Sequence, residues 1–201
     1  MPNRGDRGGS QTRARIAEIA TALFLEHGFD QVTIAEVAKA AGVSKVTVFA
    51  HFERKEDLLL DRLPDVVALV RGIVQERPTG TTVVEAFRRA TLDMAAQRHP
   101  LSGLDTDVAP FLRTVIHSPA LLARLRTFEH EIESDLATAL RDDPRFSGDA
   151  HLHAALLVAT YRTVATATMR RQLAGYDADT IAAAHVQHLT DAFALLAAGL
   201  R

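Results

Sequence analysis

The sequence contains no cysteine and no tryptophan, and aromatic residues fill only 5% of its 201 positions. Lack of cysteine excludes a disulfide framework, a thiolate metal site and a cysteine nucleophile. There is no apolar run approaching the roughly 18 residues that cross a bilayer, and no leader with a charged start and an apolar centre. These absences fit a soluble, cytoplasmic chain without a membrane partner. Neither sign of charge predominates: the formal net charge is -2, too small for indiscriminate coating of nucleic acid. The balance is uneven along the chain. Up to Lys55 eight Lys/Arg stand against six Asp/Glu, and beyond it fifteen stand against nineteen, so a mildly basic head precedes an acidic body. Apolar residues are plentiful, 47% of the chain, enough at this length for one large or two small domains with a core.

The stretch Thr33 to Lys55, T-I-A-E-V-A-K-A-A-G-V-S-K-V-T-V-F-A-H-F-E-R-K, carries the strongest signal. Ile34, Val37, Ala38 and Ala41 recur at the spacing of one helical face. Thr33 and Glu36 fit a reciprocal capping box at the start of that helix. Gly42 turns the chain, Val43 plugs the turn and Ser44 caps a second helix beginning at Lys45. Val48 and Phe52 then point inward, while Lys45, Val46, Thr47 and Ala50 face outward. Two short helices joined by a tight glycine turn form a helix-turn-helix, whose second helix enters the major groove of DNA. Taken alone, Val46-Thr47-Val48-Phe49 is β-branched and aromatic and also fits a short strand. A capped helix pair also occurs in proteins that bind no DNA.

Residues 1–11, with Gly5, Gly8 and Gly9 and no apolar period, are expected to be a flexible tail. From Thr12 a first helix places Ile16, Ala20, Leu23, Phe24 and His27 on one face and closes at Gly28-Phe29. Beyond Lys55 the pattern is helical throughout. A fourth helix is expected over Glu56–Gln75, kinked or broken near Asp61–Leu63 by Pro64. Thr82 and Glu85 repeat the capping box ahead of Val83, Phe87, Ala90, Thr91 and Met94. After a loop from His99 to Asp105 comes a short helix over Asp107–Ile116. A long helix opens at Pro119, with Phe128, Leu136 and Leu140 inward, and two more begin at Asp149 and Thr180. The expected fold is all-α, with a three-helix domain over 12–55 and a larger helical domain over 56–201.

The runs T-R-A-R-I from Thr12, E-H-G-F from Glu26, T-I-A-E-V-A from Thr33, A-G-V-S-K from Ala41 and F-A-H-F-E-R-K-E-D-L from Phe49 resemble the TetR family of bacterial transcriptional regulators. The resemblance is strong over about residues 12–60. It implies an N-terminal domain that binds operator DNA as a homodimer and a C-terminal domain that dimerises and binds an inducer. The matching positions Thr33, Lys45, Thr47, His51 and Lys55 imply phosphate contacts at both ends of the unit and base reading in its middle. Two departures bear on that reading. The family shows K-G-T-L-Y-Y-H-F where this chain has K-V-T-V-F-A-H-F, so Val46 replaces a glycine and Phe49 and Ala50 replace two tyrosines. Tyrosine hydroxyl contacts to phosphate are therefore lost, and Val46 is placed to meet a thymine methyl. In the C-terminal half, P-A-L-L-A-R-L-R from Pro119 and Arg162 are vaguely similar to acyl-CoA-responsive members.

No catalytic or metal chemistry is visible. His185 with His188 and His151 with His153 lack a carboxylate or third histidine at ligand spacing, and no phosphate loop or nucleophile elbow occurs. No cofactor is expected. An apolar cavity with a few polar groups is expected among Phe87, Thr91, Met94, Phe111, Phe128, Thr160, Tyr161 and Thr163. The function expected is a transcriptional regulator, a repressor that binds a palindromic operator as a dimer and is released by a small organic effector. The alternatives are a regulator of the same fold without an inducer, and a helical carrier or enzyme with a vestigial helix-turn-helix.

Overall fold

The computed structural model describes residues 4–104 and 108–200. Met1–Asn3 of the expected tail, with Asp105 and Asp107 at the expected loop and helix bounds, lie outside the described residues. Those described form nine α-helices and no strand: α1 (Arg4–His27), α2 (Ile34–Ala40), α3 (Lys45–His51), α4 (Leu63–Gln75), α5 (Val83–Ala96), α6 (Ala109–His117), α7 (Pro119–Asp142), α8 (Ala150–Leu173) and α9 (Ala178–Gly199). No described helix is long and apolar enough to cross a membrane. The chain divides into two compact units. One ends at Leu63 and also takes in Arg113–Arg124, and the other comprises Pro64–Leu112 and the chain from Leu125 onward.

In the first unit α1 packs with α2, α3 and a 3-10 turn over Glu56–Leu58. Ile16, Ala20 and Phe24 of α1, Val37 and Ala38 of α2, Val48 of α3 and Phe52 are all buried. The helix α1 begins at Arg4 rather than near Thr12. Once a helix is nucleated each further residue adds a hydrogen bond, and three glycines at up to about 1 kcal/mol each do not stop it.

Of the kink or break expected near Asp61–Leu63, the structure has the break. The chain makes the 3-10 turn, then further turns to Arg62, and α4 starts afresh at Leu63. Leu58, Leu59 and Leu60 are all buried. Three consecutive residues cannot share one face of an α-helix, so burying all three requires the chain to turn. Pro64 then sits in the first turn of α4, where the missing N–H has no intrahelical partner to lose.

In the second unit α9 packs against α5 and α8 around Val74, Phe87, Leu136, Leu140, Leu157, Leu189 and Phe193. Thr82, Asp149 and Asp177 cap α5, α8 and α9 with side-chain oxygens. His185 is 1% exposed and sits with its Nδ1 2.7 Å from Thr168 Oγ1. The Thr168 hydroxyl donates to the Val164 carbonyl, so it accepts from His185, which fixes the proton on Nδ1. Burial holds the His185 pKa below its ordinary value.

The C-terminus of α4 has no glycine cap. Its carbonyls are met by two arginines instead: Arg77 Nη1 donates to Val74 O, and Arg145 Nη2 to Val74 O and Gln75 O, each at 3.0 Å. Asp143 pairs with both guanidiniums, with Arg77 Nη1 and at 2.9 Å with Arg145 Nε. Arg77 and Asp143 are buried. The Arg145 hydrogen bonds, followed by those of Arg77, hold the Asp143 carboxyl well below the usual carboxylate range. Because its folded pKa is depressed, this carboxylate stabilises the fold fully above the ordinary carboxyl value of about 4, and the contribution fades as pH falls below it. Asp143→Asn is expected to lower the melting temperature at pH 7 by about 5 °C or more. In calorimetry from pH 6 to pH 2.5 the gap from wild type should narrow below about pH 4. A constant gap would place the effect elsewhere.

Candidate nucleic-acid interface

The start of α2 is closed reciprocally. Glu36 N donates to Thr33 Oγ1 at 3.3 Å, and Thr33 N donates to Glu36 Oε2 at 2.7 Å. The Thr33 hydroxyl also donates to Glu36 Oε2 at 2.8 Å, so its proton is engaged. These bonds, the backbone one first, draw the Glu36 pKa below its ordinary value. At the other end Val43 N donates to Ala38 O and Gly42 N to Lys39 O. That pair of bonds requires a left-handed residue between them, and Gly42 has φ 63°. Ser44 Oγ accepts from Thr47 N at 3.0 Å and lies 2.8 Å from Thr47 Oγ1, which starts α3 as a helix in spite of its β-branched run.

Val48 of α3 is fully buried, and its opposite face is open. Lys45 and Ala50 are exposed, Val46 is 79% and Phe49 54% exposed, and Thr47 and His51 are half-buried. Two large apolar side chains on the surface of a seven-residue helix are unfavourable in water unless another surface covers them.

Two basic residues fasten this helix. Arg13 of α1 donates to the His51 carbonyl at the end of α3, and its guanidinium carbon stands 4.1 Å from the centre of the Phe52 ring. Arg13 was not singled out by the sequence, although it lies three residues before buried Ile16 on the same helical face. Lys55 donates from Nζ to the Phe29 carbonyl at 2.5 Å and stands 4.3 Å from the Phe29 ring centre and 5.7 Å from that of Phe24. Burial lowers its pKa. The resemblance implied a phosphate contact for Lys55. The structure instead turns its ammonium toward the first helix, where it ties the end of α1 to the segment after α3.

The corner between α6 and α7 belongs to the same unit. Ser118 Oγ donates to Asp30 Oδ1 at 3.0 Å and Arg124 Nε to Asp57 Oδ1 at 2.8 Å. The Arg124 and Asp57 side chains are only 12% and 20% exposed. These pairs join residues 67 and 88 positions apart, a separation at which spacing carries no signal.

The expected effector positions lie in the second unit, where their polar groups face other duties. Thr91 donates to Phe87 O, Thr160 to Leu156 O and Thr163 to Ala159 O, each to the carbonyl four residues back. Tyr161 donates to Leu101 O at 2.9 Å, and burial pushes its pKa up to about 12. Phe87, Thr91 and Phe128 are buried, Met94, Phe111, Thr160 and Tyr161 half-buried, and Thr163 exposed. A cleft of ≈ 580 Å³ does open in this unit, beside the α4–α5 loop, and none of the eight lines it.

A helix pair capped in this way, presenting one open face, is a helix-turn-helix, the arrangement that DNA-binding proteins lay in the major groove. Residues 16–61 match the sequence profile of the bacterial regulatory proteins of the tetR family. The transcriptional regulator TcmR of Streptomyces glaucescens is 26% identical over 173 residues, 84% of this chain and 76% of that one. The transcriptional repressor AcnR of Corynebacterium diphtheriae is 30% identical over 145 residues, covering 71% of this chain and 67% of its own. Crystalline NalD, the secondary repressor of the MexAB-OprM efflux pump in Pseudomonas aeruginosa, shares the fold with a TM-score of 0.57 at 16% identity, over 92% of this chain and 97% of NalD. The chain belongs to the TetR family and is a transcriptional regulator, not an enzyme.

The different settings of the two lysines separate stability from binding. Lys55→Met is expected to lower the melting temperature of the DNA-free protein by about 4 °C or more, since it removes a charged hydrogen bond and a cation over two rings. Lys45→Ala should leave that temperature unchanged and reduce the salt slope of DNA binding by about one. Calorimetry and fluorescence anisotropy at several salt concentrations check both. An unaltered melting temperature in Lys55→Met would return that residue to the phosphate role.

Proposed function

We propose that the protein is a repressor that binds a palindromic operator as a homodimer and is released by a small organic effector. The observation that carries the reading is the open face of α3: Lys45, Val46, Thr47, Phe49 and Ala50 stand on a helix whose ends are capped and whose other side is buried. Side chains so held are presented to base edges without an ordering cost at the moment of binding. His51 flanks that face and serves as a positioning contact to phosphate, whereas Thr33, whose N–H and hydroxyl both donate to Glu36, positions α2 rather than phosphate. Relatives named as repressors, AcnR among them, support the sign of regulation, and a DNA-binding regulator of this kind works in the cytoplasm.

Dimerisation is assigned to α8 and α9. Ala155, Ala159, Ala165 and Ala167 of α8 are small and only half-buried, and Leu152, Val186 and Leu195 of the two helices are 51%, 40% and 78% exposed. Small residues allow close helix approach, and two such pairs related by a two-fold axis form a four-helix bundle. Selection from a random DNA pool should enrich a palindrome whose half-sites lie about 34–36 Å apart, or a multiple of one turn. Ala159→Arg should run as a monomer in light scattering and lose the two-fold pattern. A wild-type monomer at micromolar concentration, or no enriched sequence, would refute the reading.

One observation favours the second reading, a regulator of this fold without an inducer: the hydroxyls of Thr91, Thr160, Tyr161 and Thr163 are all engaged within the protein. Thermal melts against a small-molecule library separate the two. An effector present at 100 times its Kd should add about 2.7 kcal/mol of stability.

A further inference from the structure

The cleft of ≈ 580 Å³ in the second unit is walled by the loop between α4 and α5, the start of α5, the segment between α7 and α8, and the end of α9. Its size falls in the range of small-molecule sites. Arg77 and Arg145 line it, and no Asp or Glu does. The Arg77 side chain is only 3% exposed. Its Nε donates to Thr81 O, and Nη1 donates to Val74 O and Asp143, but Nη2 meets no acceptor among the described residues. Nη2 is not among the fully buried unpartnered atoms, so its protons are open to an acceptor placed in the cleft. The charges point the same way. Asp143 is shared by both arginines, which leaves a positive excess of one where they meet the cleft. The rest of the wall is largely apolar: Val84, Phe146, Ala197 and Leu200 contribute to it.

We propose that this cleft binds an organic anion, a carboxylate carrying a hydrocarbon chain. With the other Arg77 donors engaged, a carboxylate oxygen accepts from Arg77 Nη2, and that charge-assisted bond is stronger than one a neutral oxygen accepts. The chain covers Phe146, Ala197 and Leu200 and removes their apolar surface from water. The site is distinct from the eight positions expected to hold an effector, none of which lines it.

The test is calorimetric titration of the full-length protein with octanoate, 1-octanol and octylammonium. No DNA is present, so the outcome does not depend on the operator reading. Octanoate should bind saturably, one per chain, at least about tenfold tighter than either of the others. Ala197 is exposed, so Ala197→Glu should fold, set a carboxylate at the mouth and weaken octanoate binding by about tenfold or more. Ala197→Gln, of nearly the same size, should stay within about threefold of wild type. Ser147→Asp, on the loop that lines the same cleft, provides a second charge insertion with the same expected loss. No saturable binding, equal affinity for 1-octanol, undiminished affinity in both charged variants, or equal losses in Ala197→Glu and Ala197→Gln would each overturn the assignment.

Discussion

Helices of seven residues do not sustain themselves in water, because the first turn fixes three residues for a single hydrogen bond. Both α2 and α3 are that short, so every statement about how α3 meets DNA depends on what holds it. The floor is α1, whose Ile16, Ala20 and Phe24 are fully buried. The C-terminal side of α3 is then fastened by cations rather than by more apolar surface. Arg13 reaches the last carbonyl of α3, and Lys55 ties the following segment to the carbonyl of Phe29. A cation on a carbonyl also satisfies the unmatched acceptors of a helix end. These contacts hold α3 in place without a partner, the preorganisation that the proposed reading of bases calls for.

The same solution recurs at the end of α4, where Arg77 and Arg145 replace a glycine cap. A glycine turn would close the helix locally. Arginines close it with residues from beyond α7, so the end of α4, the α4–α5 loop and the segment near Asp143 become one cooperative element of the second unit. A capping guanidinium has five donors, more than a helix end uses, and the surplus on Arg77 faces a cleft. Structural and binding roles are thus joined in one side chain.

Local features were the legible ones. The capping box at Thr33, the N-cap at Thr82, the Gly42 turn and the Asp149 start all rest on contacts within four or five residues. The box expected at Thr82 is not closed, because the Glu85 carboxylate pairs with Arg88 and Arg89. Pro64 was legible as an interruption but not as a helix start. Telling these apart required knowing that Leu58, Leu59 and Leu60 are buried together, a tertiary fact that overrides helical periodicity. In the candidate site the open face of α3 followed from period alone. The inward duty of Lys55 did not, because its partner Phe29 lies 26 residues earlier. His185 stands in the sequence as half of a histidine pair with His188, and its buried bond to Thr168, 17 residues earlier, carries no signal in spacing. The threonines of the expected pocket show a related limit of spacing: a helical threonine looks like an available donor, yet its hydroxyl bonds readily to the carbonyl four residues back.

With Arg13 and Lys55 committed inside the first unit, its mildly basic charge overstates what reaches DNA. Arg15, Lys39, Lys45 and Arg54 are exposed, and Phe49 and Ala50 offer no hydroxyl to phosphate. Phosphate neutralisation supplies most non-specific affinity, and each cation turned inward takes one contact from that term. Exposed Val46 and Phe49 offer the groove apolar surface instead, and thymine methyls are its complementary groups. Affinity in the proposed complex then comes from contacts that depend on sequence more than from those that do not. A single α3 makes few of them, and doubling them across the two-fold axis of the proposed dimer is the direct way for such a head to reach useful affinity without added charge.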